Sequence, residues 1–377
     1  MASGFHKTAD TFVPGSKTLP GRYYTSPEQF IQDIERIYSQ RWVCVGRTSQ
    51  VANPGDYFLC QIGPESLIVV RDQSGELQAY YNVCRHRGTR LCTQEQGKFS
   101  ATIQCPYHAW TYNLQGQLIG APLMDEVTDF NKADYPLVKA HLATWGGFLY
   151  LSLSPQPTPL ETAFQPFRGK FDPWSLAELV SVRKIEYLAK ANWKLIVQNY
   201  SECYHCPMIH PELVKKTYYR SGQNDLHEGP FLGGFMEFNA EIYSMTISGR
   251  TCATPFGRLG EVDLSRAYYY SLFPNLLLSL HPDYVMCHIL WPQSEAETRI
   301  VCEWLFAPGA IEQPGFNPQD AVEFWDMTNR QDWQVSELTQ LGMGSRAYQP
   351  SPYSSTESLL AAFDREYLSA LLELNAF

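Results

Sequence analysis

The sequence predicts an α+β protein of two domains: a small all-β domain over residues 41–155 and a larger mixed domain over 156–377, preceded by a lead-in helix within 1–40 that packs on the larger domain. Three observations carry this. A chain of 377 residues is long enough for two cores. Short apolar runs broken by turn residues fill about 41–153. The stretch SPQPTPLETAFQP (154–166) holds four prolines and no periodic apolar pattern, so it reads as a linker.

The lead-in helix is expected over 24–40, with Ser26 as cap, Pro27 at the first helical position and apolar residues at Phe30, Ile31, Ile34 and Ile37. The first domain supplies strand patterns in DYFLCQIG, SLIVVRD, LQAYYNVC, TYNL and QLIG, and a buried strand around Leu142–Leu153. Beyond the linker a helix is expected over 193–206, then a strand-rich middle, then helices over 318–341 and 355–374. Helices and strands do not alternate regularly there, which favours α+β over a parallel α/β sheet.

Composition narrows the function classes. A net charge of -10 argues against nucleic acid or an anionic membrane as the main partner. No window reaches the roughly 18 apolar residues of a membrane span, and the N-terminus shows no apolar export signal, so the expected location is the cytosol. Ten cysteines in such a chain point to metal rather than to disulfides. Only two tight groupings also contain histidine: Cys84 to His108, and Cys203 to His210.

The first grouping is C-R-H, eighteen residues, then C-P-Y-H. Each half offers one thiolate and one imidazole. Thiolates suit the iron of an iron–sulfide cluster, and imidazoles on the second iron raise its potential, as in a Rieske [2Fe–2S] centre. Cys84, His86, Cys105 and His108 are the candidate cluster ligands. A Cys2His2 zinc site uses the same residue types, but usually pairs cysteine with cysteine. Arg85, Arg87 and Arg90 form either a basic rim for an acidic electron donor or ordinary loop charges.

CRHRGTRL followed by CPYHAWTYNLQGQLIGAP resembles the Rieske domain of the Rieske non-haem iron oxygenases, the ring-hydroxylating oxygenase α subunits. The second half is most similar to the branch that oxidises quaternary and N-methylated amines such as glycine betaine, carnitine and stachydrine. The resemblance runs over about residues 22–374. It implies a catalytic domain with an antiparallel sheet of the helix-grip type.

The second grouping, NYSECYHCPMIH (199–210), sits where a mononuclear iron needs two imidazoles and one carboxylate. On a helix, Glu202 and His205 share a face, and Pro207 breaks that helix so that His210 swings back toward His205. The carboxylate is sought on the helix from 318, which carries Asp320, Asp326 and Asp332. Asp326 has an ion-pair spacing to Arg330, whereas Asp332 lies in the otherwise uncharged row Ala321, Trp325, Thr328, Val335, Thr339. The resemblance agrees with Asp332 as third ligand, and Asp326 remains the fallback.

The resemblance also implies that Glu202 bridges His205 to a cluster histidine of a neighbouring subunit, a route for electrons and protons; a solvated glutamate is the plainer alternative. Cys203 and Cys206 are expected to pack in the core. Tyr218, Tyr219, Phe231, Tyr268, Tyr269, Tyr270 and Trp291 are expected near the pocket wall, where aromatic faces could hold a trimethylammonium group.

The implied activity is that of the oxygenase component of a two-component monooxygenase, hydroxylating a C–H bond beside a quaternary or N-methylated nitrogen, with formaldehyde lost from an N-methyl group. Dioxygen is the co-substrate. The chain has no G-x-G-x-x-G after a strand and no plant-type ferredoxin cysteine set, so flavin and NAD(P)H chemistry belong to a separate reductase. A homotrimer is the implied assembly. Two rivals stay open: an arene dioxygenase, and a Rieske electron carrier without catalysis.

Overall fold

The computed structural model describes residues 4–372. They form two compact units: Tyr38–Gln165, and a second built from the residues up to Ile37 together with those from Pro166 onward. The last two residues of the helix expected over 355–374 lie outside the described residues; within them this helix runs Ser358–Leu372.

The unit Tyr38–Gln165 is all-β apart from short helical turns. Its four-stranded antiparallel sheet runs Leu77–Tyr81, Glu65–Arg71, Asp56–Ile62, Gln96–Lys98 in spatial order. Leu67, Ile68, Val69 and Val70 are all fully buried, so the Glu65–Arg71 strand is covered on both faces. Burying each such side chain stabilises by roughly 1.5–3 kcal/mol.

A second sheet, Thr102–Gln104, Thr111–Asn113 and Leu118–Gly120, packs Ile103, Trp110 and Tyr112 into the same core. Its turn needs Gly116: φ is +85°, and a Cβ there would come within 2.5 Å of Tyr80, whose hydroxyl donates to the Leu114 carbonyl at 3.0 Å. The single strand expected around Leu142–Leu153 is instead a hairpin, His141–Trp145 with Phe148–Ser152, turned at Gly146-Gly147. Both glycines adopt positive φ there, so the apolar run folds back instead of continuing.

The other unit is organised by an eight-stranded antiparallel sheet. Its spatial order is His6–Lys7, Gln223–Leu226, Phe231–Glu237, Arg266–Leu272, Leu276–Leu280, Val285–Ser294, Glu297–Phe306 and Val180–Ala189. The helix Pro318–Met343 packs against the Val180–Ala189 strand and against the helix Trp193–Tyr200. Pro318 opens that long helix at N1, while Asn317 makes no side-chain cap bond.

The lead-in segment also departs from expectation. Ser26 caps a helix at Pro27–Asp33, accepting from the Gln29 amide at 3.1 Å, but Ile34–Tyr38 widens into a π turn. Ahead of that turn Asp33, rather than Ile31, faces inward: Asp33 is fully buried and Ile31 is 54% exposed. Asp33 accepts from Trp193 Nε1 at 3.0 Å and Tyr367 Oη at 2.7 Å, and pairs with the equally buried ammonium of Lys194. Burial is the main influence on Lys194 and lowers its pKa, against the opposing pull of Asp33.

Candidate metal and substrate site

The helix expected over 193–206 ends at Tyr200. Ser201 Oγ donates back to the Val197 carbonyl at 2.6 Å, competing with the helical ladder. The Glu202 carboxylate then accepts from the backbone amides of Tyr204 and His205, which closes a tight turn over 202–205. Pro207 does not end a helix but lies in the first turn of a new one, Cys206–Ile209. His210 ends that turn with φ -121° and precedes the helix Pro211–Lys216. Two short helices meeting at a non-helical residue, rather than one broken helix, bring His210 back to His205.

Cys203 and Cys206 are not merely packing residues: they form a disulfide, with Cα atoms 4.9 Å apart, that staples the turn carrying His205. The C-x-x-C spacing permits it, and the tight turn over 202–205 brings the two cysteines together.

Three donor atoms converge on one point. His205 Nε2 and His210 Nε2 are 3.1 Å apart, and Asp332 Oδ1 lies 2.8 Å from His210 Nε2 and 3.3 Å from His205 Nε2. Bonds of about 2.1 Å at right angles put their donors about 3 Å apart, so the set fits one face of an octahedral metal. Two imidazole nitrogens and one carboxylate, with the opposite face open, is the donor chemistry of a non-haem iron that binds oxygen.

The outer nitrogens are fixed by further groups. Glu202 accepts from His205 Nδ1, and Gln331 Oε1 accepts from His210 Nδ1 at 2.8 Å. With Nδ1 carrying the proton on each ring, both Nε2 lone pairs face inward. Burial is the largest influence on His205 and lowers its pKa, but hydrogen bonds that its ring donates to the Asp332 and Glu202 carboxylates outweigh it and raise the value to about 10. Asp332 is held below the usual carboxylate range: burial opposes this, and the two histidines overcome it. The cluster thus attracts positive charge strongly, as a cation site must.

The other two aspartates of the long helix have separate work. Asp326 accepts from Tyr187 Oη at 2.8 Å and pairs with Arg330 at 3.0 Å. Asp320 binds Ser248, through its amide at 3.1 Å and its hydroxyl at 2.6 Å.

In the all-β unit, Cys84 and Cys105 are buried free thiols on two facing loops. The Tyr112 hydroxyl lies 3.4 Å from Cys84 Sγ and accepts from the Arg85 amide at 3.1 Å, tying the two loops together. His86 and His108 face each other with ring centroids 4.6 Å apart, and His86 stacks on Trp110 at 4.9 Å. His86 Nδ1 is buried with no hydrogen-bond partner, which is costly unless a metal takes its lone pair. Two buried thiols and two imidazoles with an orphaned nitrogen fit a Rieske cluster.

A cavity of about 480 Å³ opens on His205, His210 and Asp332. Trp325, Thr328 and Asp332 form one stripe of the long helix along its wall, as their spacing of three and four residues requires. Among the aromatic residues expected at the wall, Tyr219 and Tyr269 line it; the others do not. Strand alternation explains Tyr268 and Tyr270. They point to the opposite face from Tyr269, where their hydroxyls donate to Asp263 at 2.6 Å and Asp225 at 3.1 Å. Phe231 packs on Phe167, and Trp291 lies under Arg299. Tyr200, Tyr204, Phe235 and Trp325 complete the aromatic lining, and the N-terminal stretch Lys7–Ala9 also borders the cavity. None of these was expected at the wall; for Trp325 the signal available was its place in the helical row through Asp332.

Residues 176–373 match the family model for the catalytic domain of the ring-hydroxylating α subunit, and residues 41–131 match the Rieske [2Fe-2S] domain. The chain belongs to the ring-hydroxylating α subunits. Its family carries a Rieske cluster and a mononuclear iron. This ring-hydroxylating α subunit is 32% identical to the glycine betaine monooxygenase oxygenase subunit of Chromohalobacter salexigens, covering 94% of the chain and 86% of that protein. It is 36% identical to the carnitine monooxygenase oxygenase subunit of Escherichia coli over 52% of each chain. A solved quaternary ammonium Rieske monooxygenase in complex with L-carnitine superposes with a TM-score of 0.76, at 25% identity, covering 97% of both chains. The Rieske oxygenase fold is therefore the fold of this chain, and no described helix is long and apolar enough to cross a membrane.

Proposed function

We propose that this chain is the oxygenase component of a Rieske monooxygenase acting on a quaternary ammonium or N-methylated small molecule. His205, His210 and Asp332 hold the mononuclear iron, and Cys84, His86, Cys105 and His108 hold the cluster. Residues 41–155 serve as the Rieske domain and 156–377 as the catalytic domain, with 1–40 as lead-in. Bound there, the cluster would supply single-electron transfer and the iron a site for dioxygen activation. A separate flavin- or ferredoxin-type reductase supplies the electrons from NAD(P)H.

One observation carries the substrate class. Trp325 and Tyr200 line the cavity, yet their polar atoms are engaged elsewhere: Trp325 Nε1 donates to Tyr284 at 2.7 Å, and Tyr200 Oη pairs with Ser279 at 2.9 Å. Thr328 Oγ1 likewise donates to the Phe324 carbonyl at 2.9 Å. These residues leave aromatic faces rather than hydrogen-bonding groups for a ligand. A quaternary nitrogen has no N–H to donate, and each aromatic face contributes about 0.5–2 kcal/mol to a cation above it. The relatives named for glycine betaine and carnitine support the same class.

The chain's residues orient and exclude. The aromatic wall holds an N-methyl group and keeps water away, while Glu202 and Gln331 fix the two imidazoles. In the proposed reaction, one N-methyl group of the quaternary ammonium, with dioxygen, two electrons and two protons, becomes an N-hydroxymethyl group, and one water is released. The carbon–nitrogen bond to the hydroxymethyl group then breaks, its electron pair staying on nitrogen. Formaldehyde, the tertiary amine and a proton are the products. Glu202, 10% exposed and bonded to His205, is suited to relay electrons and protons from a cluster histidine of a neighbouring subunit in a homotrimer.

Oxygen uptake and formaldehyde release with a panel of betaines and arenes, supplied with a compatible reductase, test the reading. Coupled uptake with quaternary amines is expected; oxidation of arenes alone would overturn it. His205→Ala should abolish turnover and keep the brown colour of the cluster. Loss of the cluster spectrum instead would sink the two-site assignment.

A further inference from the structure

Four acidic or basic side chains other than the two histidines line the cavity: Glu202, Asp332, Lys7 and Arg220. The two acids are taken, Asp332 by both histidines and Glu202 by His205. The two bases are not: among the described residues neither forms an ion pair with a carboxylate. An acid-and-imidazole cluster and two uncommitted cations therefore border one aromatic cavity.

The fold brings the two cations to one edge. The strand His6–Lys7 pairs with the edge of the large sheet, Lys7 opposite Gln223, three residues after Arg220. Thr8 fastens the strap: its amide and hydroxyl both donate to the Gly222 carbonyl, at 3.3 and 3.2 Å, and it accepts from Asn224 Nδ2 at 3.1 Å. Phe5 anchors the strap further, edge-on to Phe235 with centroids 4.8 Å apart. The Arg220 guanidinium lies 5.4 Å from the Tyr219 ring centroid, which restricts it beside a wall residue of the cavity. Both cations are exposed, so their pull on a ligand is one that salt screens.

We infer that Lys7 and Arg220 bind the carboxylate of a zwitterionic substrate whose quaternary ammonium sits against the aromatic wall. The inference rests on the quaternary-amine reading above and narrows it: the favoured substrate carries a carboxylate, and a quaternary amine without one is discriminated against. Arginine suits this position because its planar fork binds a carboxylate through two parallel hydrogen bonds, while lysine adds a point charge.

Calorimetric titration of the holoenzyme with glycine betaine and with choline, the same cation bearing a hydroxymethyl group in place of the carboxylate, tests it. In the Lys7→Gln/Arg220→Gln double variant the Kd for glycine betaine should rise about tenfold or more relative to that for choline. In the wild type, added salt should weaken glycine betaine and leave choline nearly unaffected. Arg220→Lys in the Lys7 background should recover part of the loss, which a folding defect would not. If the wild type binds both ligands and the double variant keeps the wild-type ratio, the carboxylate assignment is overturned and the quaternary-amine reading stands. If the wild type binds neither, both fall together.

Discussion

The carboxamide oxygen of Gln331 lies 2.8 Å from Nδ1 of His210. The next residue, Asp332, places its carboxylate 2.8 Å from Nε2 of the same ring. Two successive side chains of one helix thus grip one imidazole at both nitrogens. Gln331 dictates the tautomer, and Asp332 shares the point at which the free lone pair is aimed.

Gln331→Leu keeps the bulk and deletes the acceptor. Loss of such an outer hydrogen bond typically costs 10–100-fold in metal affinity, about 1.4–2.7 kcal/mol. Iron retained per chain during a chelator challenge should fall accordingly, while the cluster's visible spectrum is unchanged. A variant that resists the chelator as the wild type does would show that the glutamine is incidental.

Asp332 and Asp326 are six residues apart on the same helix, and their variants should separate cleanly. Asp332→Ala removes a donor from the three-atom set and should abolish mononuclear iron binding and turnover. Asp326→Ala frees Tyr187 and the exposed Arg330, so it should keep its iron and lose only about 1 kcal/mol of stability. Iron loss from Asp326→Ala would contradict this division of labour.

How far the sequence revealed the site follows from which contacts are local. The cluster loops and the pair His205, His210 are short-range patterns, and Asp332 stood out as an acid in an uncharged helical row. The ending of the helix at Tyr200 was hidden, because it depends on Ser201 and Glu202 bonding to nearby backbone, which no apolar period records. The phase of Tyr268, Tyr269 and Tyr270 was hidden too. Alternation says that Tyr269 opposes its neighbours, but only the packed sheet says which face meets the cavity. Least legible was the strap at Lys7: its two-residue strand is positioned by Thr8 bonding to Asn224, 216 residues away.

Asp33 and Lys194 tie the lead-in helix to the helix that runs toward the metal site, with neither side chain exposed. Lys194→Met leaves the Asp33 charge buried with only neutral donors, and breaking a buried pair in this way costs about 3–5 kcal/mol. Urea unfolding should register that loss, and the double variant Asp33→Asn/Lys194→Met should recover most of it. Equal stability of the single and double variants would mean that the pair carries no coupling.

Burial alone sets the proton affinity of His281. Its ring is fully buried among Tyr269, Tyr284 and Trp325, neither nitrogen has a hydrogen-bond partner, and its pKa is pushed down to about 3. The unfolded chain takes up this proton below about pH 6.5, while the folded chain refuses it until about pH 3. Over that window the unfolded state binds more protons, so stability falls as the pH falls, by about 1.4 kcal/mol per unit. Asp283 works the other way: burial raises its pKa to about 6, so the folded state gains from holding that proton as the pH drops toward 3.8. Because Asp283 is present in both proteins, comparing wild type with His281→Phe isolates the histidine. The phenylalanine variant should unfold at the same or higher urea concentration near pH 8, where no buried imidazole is left unpaired. At pH 5 it should exceed the wild type by about a further 2 kcal/mol. Parallel pH profiles for the two proteins would mean that His281 does take up its proton in the folded state, through a partner such as a buried water.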